Sequence, residues 1–369
     1  MNLALFLVLL ILTASELSVL SIDLVVATIA SFFWHKKFIT WFKCGLYGLL
    51  VPLVFILMGT TVGINSYRIK RISIQSGSIP QSFDGYRIVQ ISDIHLQSFR
   101  TAGEKDNIFF NVYKTVGSRG RFVDMVQGSA PKRAKALEKF IAAVNSLHPD
   151  MVAVTGDLVT FLPSEIDGFE PVLSSLKAED GVYSIFGNHD YAAYTPYFTT
   201  KADSIENSLY MRQTALGWTV LRNEGINVVR GTDSIGLAGV DNISVNPRFV
   251  SKGNLSHAVS NLNRENFNIL LSHDPTHWEA QVLPETSIDL MLAGHTHGMQ
   301  LGIFGFTPSR FIYKQDHGLY RCDKEFEHNG NPRYLYVNTG LGQTLLPMRI
   351  GLRPEITLIT LKSCQERSE

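Results

Sequence analysis

Cysteine is scarce in this chain. Its 369 residues include only Cys44, Cys322 and Cys364. They have no C-x-x-C spacing, and at least one must stay unpaired. That excludes a disulfide framework and a thiolate zinc or iron–sulfur site, leaving open only a single Cys322–Cys364 bridge. Net charge is also missing, with 33 basic residues against 33 acidic ones. No global field therefore draws the chain to nucleic acid or to an acidic surface. There is no Lys/Arg stripe interleaved with aromatics, which speaks against a nucleic-acid binder, and no low-complexity tract. Apolar residues, by contrast, make up 45% of the chain, enough to bury a sizeable core. The length suits one large α/β domain with an appendage.

The appendage is at the start. Residues 1–66 read as an N-terminal membrane anchor and 67–369 as a globular domain. The stretch 44–64 carries no charged side chain and has the length of a membrane-spanning helix. The run 3–34 is apolar but contains Glu16 and Asp23. It reads as one tilted span, or as a short piece followed by a span from Leu17 to Trp34. A signal peptide fits poorly, because the start is not basic, no small-residue cleavage site is clear and a second apolar run follows. Buried core helices are the alternative reading. The chain is thus expected at the cell membrane. Lys36, Lys37 and Lys43 between the runs balance Arg68, Lys70 and Arg71 after them, so the positive-inside rule does not choose a side.

From Tyr67 onward the pattern is that of an α/β protein. "RIVQISD", "MVAVTGD" and "GVYSIFGNHD" are short apolar runs that end in polar residues. "INVVR" and "SIGLAGVDN" alternate like a strand pair, and "FNILLSHD", "IDLMLAGHTHG", "YLYVNTG" and "EITLITL" complete the series. Between them, Ala134, Leu137, Ile141 and Val144 share one stripe of a helix over 134–146. Residues 97–132 form a long insertion rich in apolar side chains, including Phe109, Phe110, Phe122 and Val126.

Five of these runs end in groups able to bind metal: Asp93 and His95, Asp157, then Asn188, His189 and Asp190, then His273 and Asp274, then His295 and His297. A lone histidine after a strand is more often a satisfied polar residue than a ligand. Five clusters at strand ends are hard to attribute to chance, since the loops leaving one edge of an α/β sheet converge there. Imidazole and carboxylate without thiolate suit two divalent cations, of Mn, Fe, Zn or Co. Two cations about 4 Å apart need a shared anionic oxygen to offset their repulsion. A strand-end Asp in a Gly-Asp turn suits that bridge. His148 reads as a helix-end histidine, and His277 and Trp278 as part of the next helix rather than as ligands.

D-x-H, G-D, G-N-H-D, a later histidine and G-H-x-H, in this order, make the chain resemble the calcineurin-like metallophosphoesterases over about residues 68–361. "VLRNE", "LLSHDP" and "GHTHGMQ" look most like the membrane-associated bacterial branch with YkuE-type and UDP-diacylglucosamine pyrophosphatase-type enzymes. Met299 departs from it, standing where that branch often has glycine, and the 97–132 insertion departs too. The resemblance implies a four-layer α-β-β-α sandwich of two mixed sheets with helices outside. It implies that Asp93, His95 and His297 hold one ion, that Asn188, His273 and His295 hold the other, and that Asp157 bridges them. It makes His189 the group beside the leaving oxygen, with Asp190 fixing its tautomer, and implies hydrolysis of a phosphate ester or phosphoanhydride by a metal-activated hydroxide. Asn223 and Arg349 are candidate substrate contacts; a turn-forming Asn and a surface Arg are the bland alternatives. The insertion is expected to pack on the domain as a helical excursion, or to act as a lid receiving an acyl chain of a lipid substrate. A phosphatase or phosphodiesterase on soluble substrates, a nuclease and a non-catalytic scaffold are the competing readings.

Overall fold

The structure is a computed structural model and describes residues 54–55, 57–99, 131–195, 198–302, 305–344 and 348–364. The apolar runs at 3–34 and 44–64 and the insertion at 97–132 lie wholly or mostly outside these residues. Among the described residues, no helix is long and apolar enough to cross a membrane. The chain divides into two compact units, Met1–Thr61 and Val62–Glu369. The second carries all the strands among the described residues.

There are twelve strands among the described residues: β1 (Arg68–Ser76), β2 (Arg87–Ile91), β3 (Met151–Val154), β4 (Val182–Ser184), β5 (Thr219–Val220), β6 (Glu224–Arg230), β7 (Asp233–Gly239), β8 (Asn268–Leu271), β9 (Leu290–Ala293), β10 (Gly318–Arg321), β11 (Tyr334–Val337) and β12 (Glu355–Ser363). One sheet has the order β1-β12-β2-β3-β4-β5 and the other β10-β11-β9-β8-β7-β6. Both are mixed: β2 runs antiparallel to β12 but parallel to β3, and β7 antiparallel to β6 but parallel to β8. β3, β8 and β9 are buried at every residue, which is why they read as unbroken apolar runs rather than as alternation.

Burial of the two sheet faces against each other forms the central core. Ile88, Met151, Ala153, Ile185 and Ile359 meet Leu237, Ile269, Leu271, Leu290 and Leu292 there. The outer face of the first sheet is covered by helices α1 (Pro131–Ser146) and α2 (Phe198–Ala215), through Leu137, Phe140, Ile141, Val144 and Leu209. The outer face of the second sheet is different from the expected helical layer. Leu255, Trp278, Val282 and Leu283 cover it from short helical turns. Pro275 and Pro284 punctuate the β8–β9 crossover, and each lacks the N–H a continuous helix would use. Cys322 is buried and Cys364 exposed, and both are free, so no bridge joins them.

The two sheets also meet at their polar strand ends. Gln90 Nε2 of β2 donates to the Ala293 carbonyl of β9 at 2.8 Å and to Thr155 Oγ1 at 3.0 Å. Backbone bonds from Asp93 N to Gly156 O (3.0 Å), from His95 N to Asp157 O (3.0 Å) and from Gly294 N to His273 O (2.9 Å) then lock the loops together. The carboxyl ends of β2, β3, β4, β8 and β9 thus open at one shared edge.

Candidate metal centre

The backbone at this edge is bent hard. Asp93, His95, Asp157, His295 and His297 all have positive φ, between 44° and 72°. Non-glycine residues avoid that region, at a cost of about 1–3 kcal/mol each, and hold it only where the surroundings over-determine it. Glycines leave the space that the bends need. A Cβ on Gly187 would fall on Asp157 Oδ1, and one on Gly294 would fall on Ser92 Oγ and Asp93 Oδ2.

The bends aim the side chains inward at one buried spot. His297 Nε2 lies 3.2 Å from both Asp93 Oδ1 and His95 Nε2. Asp157 Oδ2 lies 3.5 Å from His95 Nε2 and 3.2 Å from His273 Nε2. His273 Nε2 is 4.0 Å from Asp93 Oδ1. Three groups have ligand atoms within 4.8 Å of one another: Asp93, His95 and His297; Asp93, Asp157 and His273; and His95, Asp157 and His189. Next to them, His295 Nδ1 faces Asn188 Oδ1 at 2.8 Å. His273 Nε2 is buried with only the Asp157 and Asp93 carboxylates near it, and the Nε2 atoms of His95 and His297 point at each other. Nitrogen and carboxylate donors crowded in this way, with atoms left unsatisfied, fit divalent cations.

The electrostatics agree. Burial raises the Asp93 pKa, but His297 and His273 outweigh it and hold the carboxyl well below the usual range. Burial lowers that of His273, but Asp157 and Asp93 overcome it and push the imidazole up to about 10. The field that keeps a proton on His273 Nε2 would equally favour a cation in the proton's place. His95 is driven down by burial and by its neighbour His189. Burial likewise lowers His189 and His295, which leaves them neutral imidazoles able to offer a lone pair.

The structure thus brings together Asp93, His95, Asp157, His189, His273 and His297, and places Asn188 and His295 as an adjoining pair. Asp190 departs from its expected role. Its carboxylate accepts the N–H groups of Asp157 (2.8 Å), Gly187 (2.8 Å) and Val159 (3.2 Å). The group that meets His189 Nδ1 is instead the Thr160 carbonyl, at 2.9 Å. Burial and then Asp157 push the Asp190 pKa up to about 8, while the N–H donors pull the other way. Asn223, at φ 60°, accepts from Asp241 N and Asn254 N at 3.1 and 2.7 Å; these bonds organise a turn. Arg349 is no surface arginine: it is 1% exposed. Its Nε and one terminal nitrogen donate to the Gly342 and Thr339 carbonyls, with His297 Nδ1 3.1 Å from that nitrogen. This places it behind a candidate ligand. Met299 has φ 54°, which explains why glycine suits its position. His148 is exposed just past α1, and His277 is buried against Ser272 Oγ and Gln281 Oε1.

Sequence reasoning missed several residues that shape the site. Thr160 Oγ1 also touches His95 Nδ1, at 3.3 Å. Glu165 is fully buried and accepts the N–H groups of Gln97, Thr160, Phe161 and Leu162. Tyr194 accepts from Asn188 Nδ2 at 2.8 Å and packs over His189, ring centroids 4.3 Å apart. Tyr313 OH lies 3.0 Å from His295 Nε2. Tyr194 shares the loop of Asn188, a weak signal; nothing in the spacing points to Tyr313.

Comparison with known proteins gives the same picture. Residues 86–299 match the family model described as calcineurin-like phosphoesterase. The metallophosphoesterase YkuE of Bacillus subtilis is 30% identical over 297 residues, 79% of this chain and 84% of its own length. A transmembrane protein with metallophosphoesterase domain from Danio rerio is 29% identical over 87% of this chain, which spans 63% of that relative. A metallophosphoesterase of Aquifex aeolicus is 26% identical over 84% of this chain and 98% of its own. The chain belongs to the calcineurin-like phosphoesterase family and is a metal-dependent phosphoester hydrolase.

Proposed function

We propose that the chain is a membrane-associated phosphoesterase of the YkuE-like branch, using two divalent cations to hydrolyse a phosphate ester or phosphoanhydride of a lipid or lipid-linked substrate. Asp93, His95 and His297 would hold one cation, Asn188, His273 and His295 the other, and Asp157 would be shared between them. The observation that carries this reading is the position of Asp157 Oδ2, within 3.5 Å of His95 Nε2 on one side and 3.2 Å of His273 Nε2 on the other. Bound cations would supply Lewis acidity and lower the pKa of water, so that hydroxide is available at neutral pH.

The chain's own residues orient the rest. Thr160 O accepts the Nδ1 proton of His189, which turns Nε2 toward the site. Burial keeps that imidazole neutral. A phosphate anion beside it raises its pKa, so His189 takes up a proton on substrate binding and passes it to the leaving oxygen. Asp157 Oδ1 accepts the backbone N–H of His189 at 2.9 Å, tying the main chain of the proposed acid to the proposed bridge.

Three features support a lipid substrate. The N-terminal sequence is apolar. The Danio rerio relative is named a transmembrane protein. And Phe306, Phe311 and Ile312 are exposed by 48, 83 and 52%, directly before Tyr313, which reaches His295. Exposed aromatic and aliphatic side chains beside a phosphate site suit an acyl substrate.

The test uses the full chain in detergent, stripped of metal and reloaded with Mn²⁺. Its substrates are a bis-aryl phosphate, an aryl phosphate, a phospholipid and a nucleotide-linked diacyl sugar. Turnover restored by metal and lost in Asp157→Asn is expected, with the lipid substrates preferred. Preference for the aryl phosphates would move the assignment to soluble substrates. Absence of bound metal would overturn it in favour of a scaffold.

A further inference from the structure

Asp274 follows a candidate ligand yet points elsewhere. It is fully buried. Its Oδ1 accepts from Thr276 N at 2.8 Å and from Thr276 Oγ1 at 2.7 Å. Its Oδ2 is buried and accepts no well-formed hydrogen bond, although the Ser244 hydroxyl is near enough to lower its pKa. A buried carboxylate oxygen left short of donors is costly and calls for an explanation. The nearest ring nitrogen is His295 Nε2, at 3.6 Å.

His295 has a distinct partner at each nitrogen. Nδ1 faces Asn188 Oδ1 at 2.8 Å, and Nε2 faces Tyr313 OH at 3.0 Å and Asp274 Oδ2 beyond it. Asn188 is fixed from behind, because its Nδ2 donates to Tyr194 OH at 2.8 Å; this leaves Oδ1 turned toward His295 Nδ1. An amide oxygen and an imidazole nitrogen this close, with their outer atoms engaged by other groups, aim at a common point. A cation there needs the Nδ1 lone pair, which requires the ring proton on Nε2. On that side the Tyr313 hydroxyl oxygen stands within hydrogen-bond reach, and the Asp274 carboxylate, at 3.6 Å, adds its negative charge behind it. The ring is boxed in by Phe249 and His273, centroids 4.7 and 5.2 Å away, so it cannot simply turn over.

We propose that Asp274 and Tyr313 are positioning residues that hold the His295 proton on Nε2, so that Nδ1 and Asn188 Oδ1 together ligate the second cation. The inference rests on the two-cation reading. Loss of a carboxylate that orients a ligating histidine costs about 10–100-fold in metal affinity, and the loss falls on one ion rather than on both.

The experiment titrates Mn²⁺ into the metal-free full chain calorimetrically, for the parent, Asp274→Asn and Tyr313→Phe. The parent should bind two ions. Asp274→Asn should weaken one of them about 10–100-fold and leave the other within about twofold. Tyr313→Phe, which keeps the ring and folds even if the Asp274 variant does not, should weaken the same ion by a smaller factor. Nitrogen NMR of histidine-labelled, zinc-loaded protein should show His295 bound through Nδ1 with its proton on Nε2. Unchanged affinities in both variants, or a proton on Nδ1 with Nε2 on the metal, would overturn the inference while the two-cation reading stands. A parent that binds no ion would overturn both.

Discussion

The Asp190 carboxylate accepts the backbone N–H of Asp157 at 2.8 Å, so an acidic residue next to the site holds the main chain of the proposed bridging one. The same carboxylate takes the N–H groups of Gly187 and Val159. Replacing it by alanine strands three donors away from water, each worth about 1–3 kcal/mol. Asp190→Ala is therefore expected to lose at least about 3 kcal/mol of stability in urea unfolding. Asp190→Asn keeps one acceptor oxygen and should lose about half as much. If the two variants matched the parent, the carboxylate would not be organising the turn.

Gly187 tests the cradle sterically, because its φ is not positive and only space is at stake. An added Cβ would fall on Asp157 Oδ1 and stand 2.8 Å from His273 Cε1. Gly187→Ala must push the bridging carboxylate aside. Its cost should appear as weaker metal binding by about tenfold or more, and as a matching fall in kcat/KM, on the scale of outer-sphere disturbance. Gly217→Ala serves as the contrast: its Cβ meets nothing within 4 Å, but its φ of 86° strains it, so it should lose stability without losing metal.

Much of this site is legible in the sequence, because ligand chemistry is written in residue type and strand ends are written in apolar runs. "MVAV" followed by "TGD" sets both β3 and the place of Asp157. The supporting contacts are not legible in the same way. Two of the three partners of Asp190 are backbone amides 31 and 33 positions away, and backbone amides carry no sequence signature. Arg349 reads like any arginine, and only the fold buries it behind His297. The second outer layer escapes for a related reason, since "HWEAQVLPE" is helical only from Trp278 to Glu285, with Pro284 in its last turn, too short for a long covering helix. β1 is hard to read because Arg68, Lys70 and Arg71, two of them exposed, obscure a strand that pairs along its whole length with β12.

His277 gives a pH dependence that can be separated from the metal ligands. It is fully buried, and burial lowers its pKa from 6.5 to about 4, against a smaller upward pull from Gln281 and Asp274. The unfolded chain therefore binds this proton more readily than the folded one. The stabilising effect of keeping His277 neutral is complete above about pH 6.5 and is lost as pH falls toward 4, by about 3 kcal/mol in all. His277→Gln cannot protonate. The stability gap between parent and variant, from urea unfolding at pH 7 and at pH 4.5, should narrow or reverse by about 2–3 kcal/mol. A constant gap would mean that His277 titrates normally in the fold.

Phe311 offers the sharpest separation between lipid and soluble chemistry. It is 83% exposed, its ring meets Phe306 edge-on with centroids 5.7 Å apart, and Arg310 and Lys314 flank the turn with half or more of their side chains in solvent. Among the described residues only the edge of Phe306 packs on this ring, so Phe311→Ser should leave the unfolding midpoint nearly unchanged. Full burial of such a side chain in an acyl phase is worth about 1.5–3 kcal/mol. Insertion of Phe311 beside a lipid substrate therefore predicts a KM for micellar phospholipid raised about tenfold in the variant, with kcat/KM for aryl phosphate within about twofold. Equal losses on both substrates would point to a general disturbance of the Tyr313–His295 contact. No loss on either would remove Phe311, and with it the main structural support for a lipid substrate.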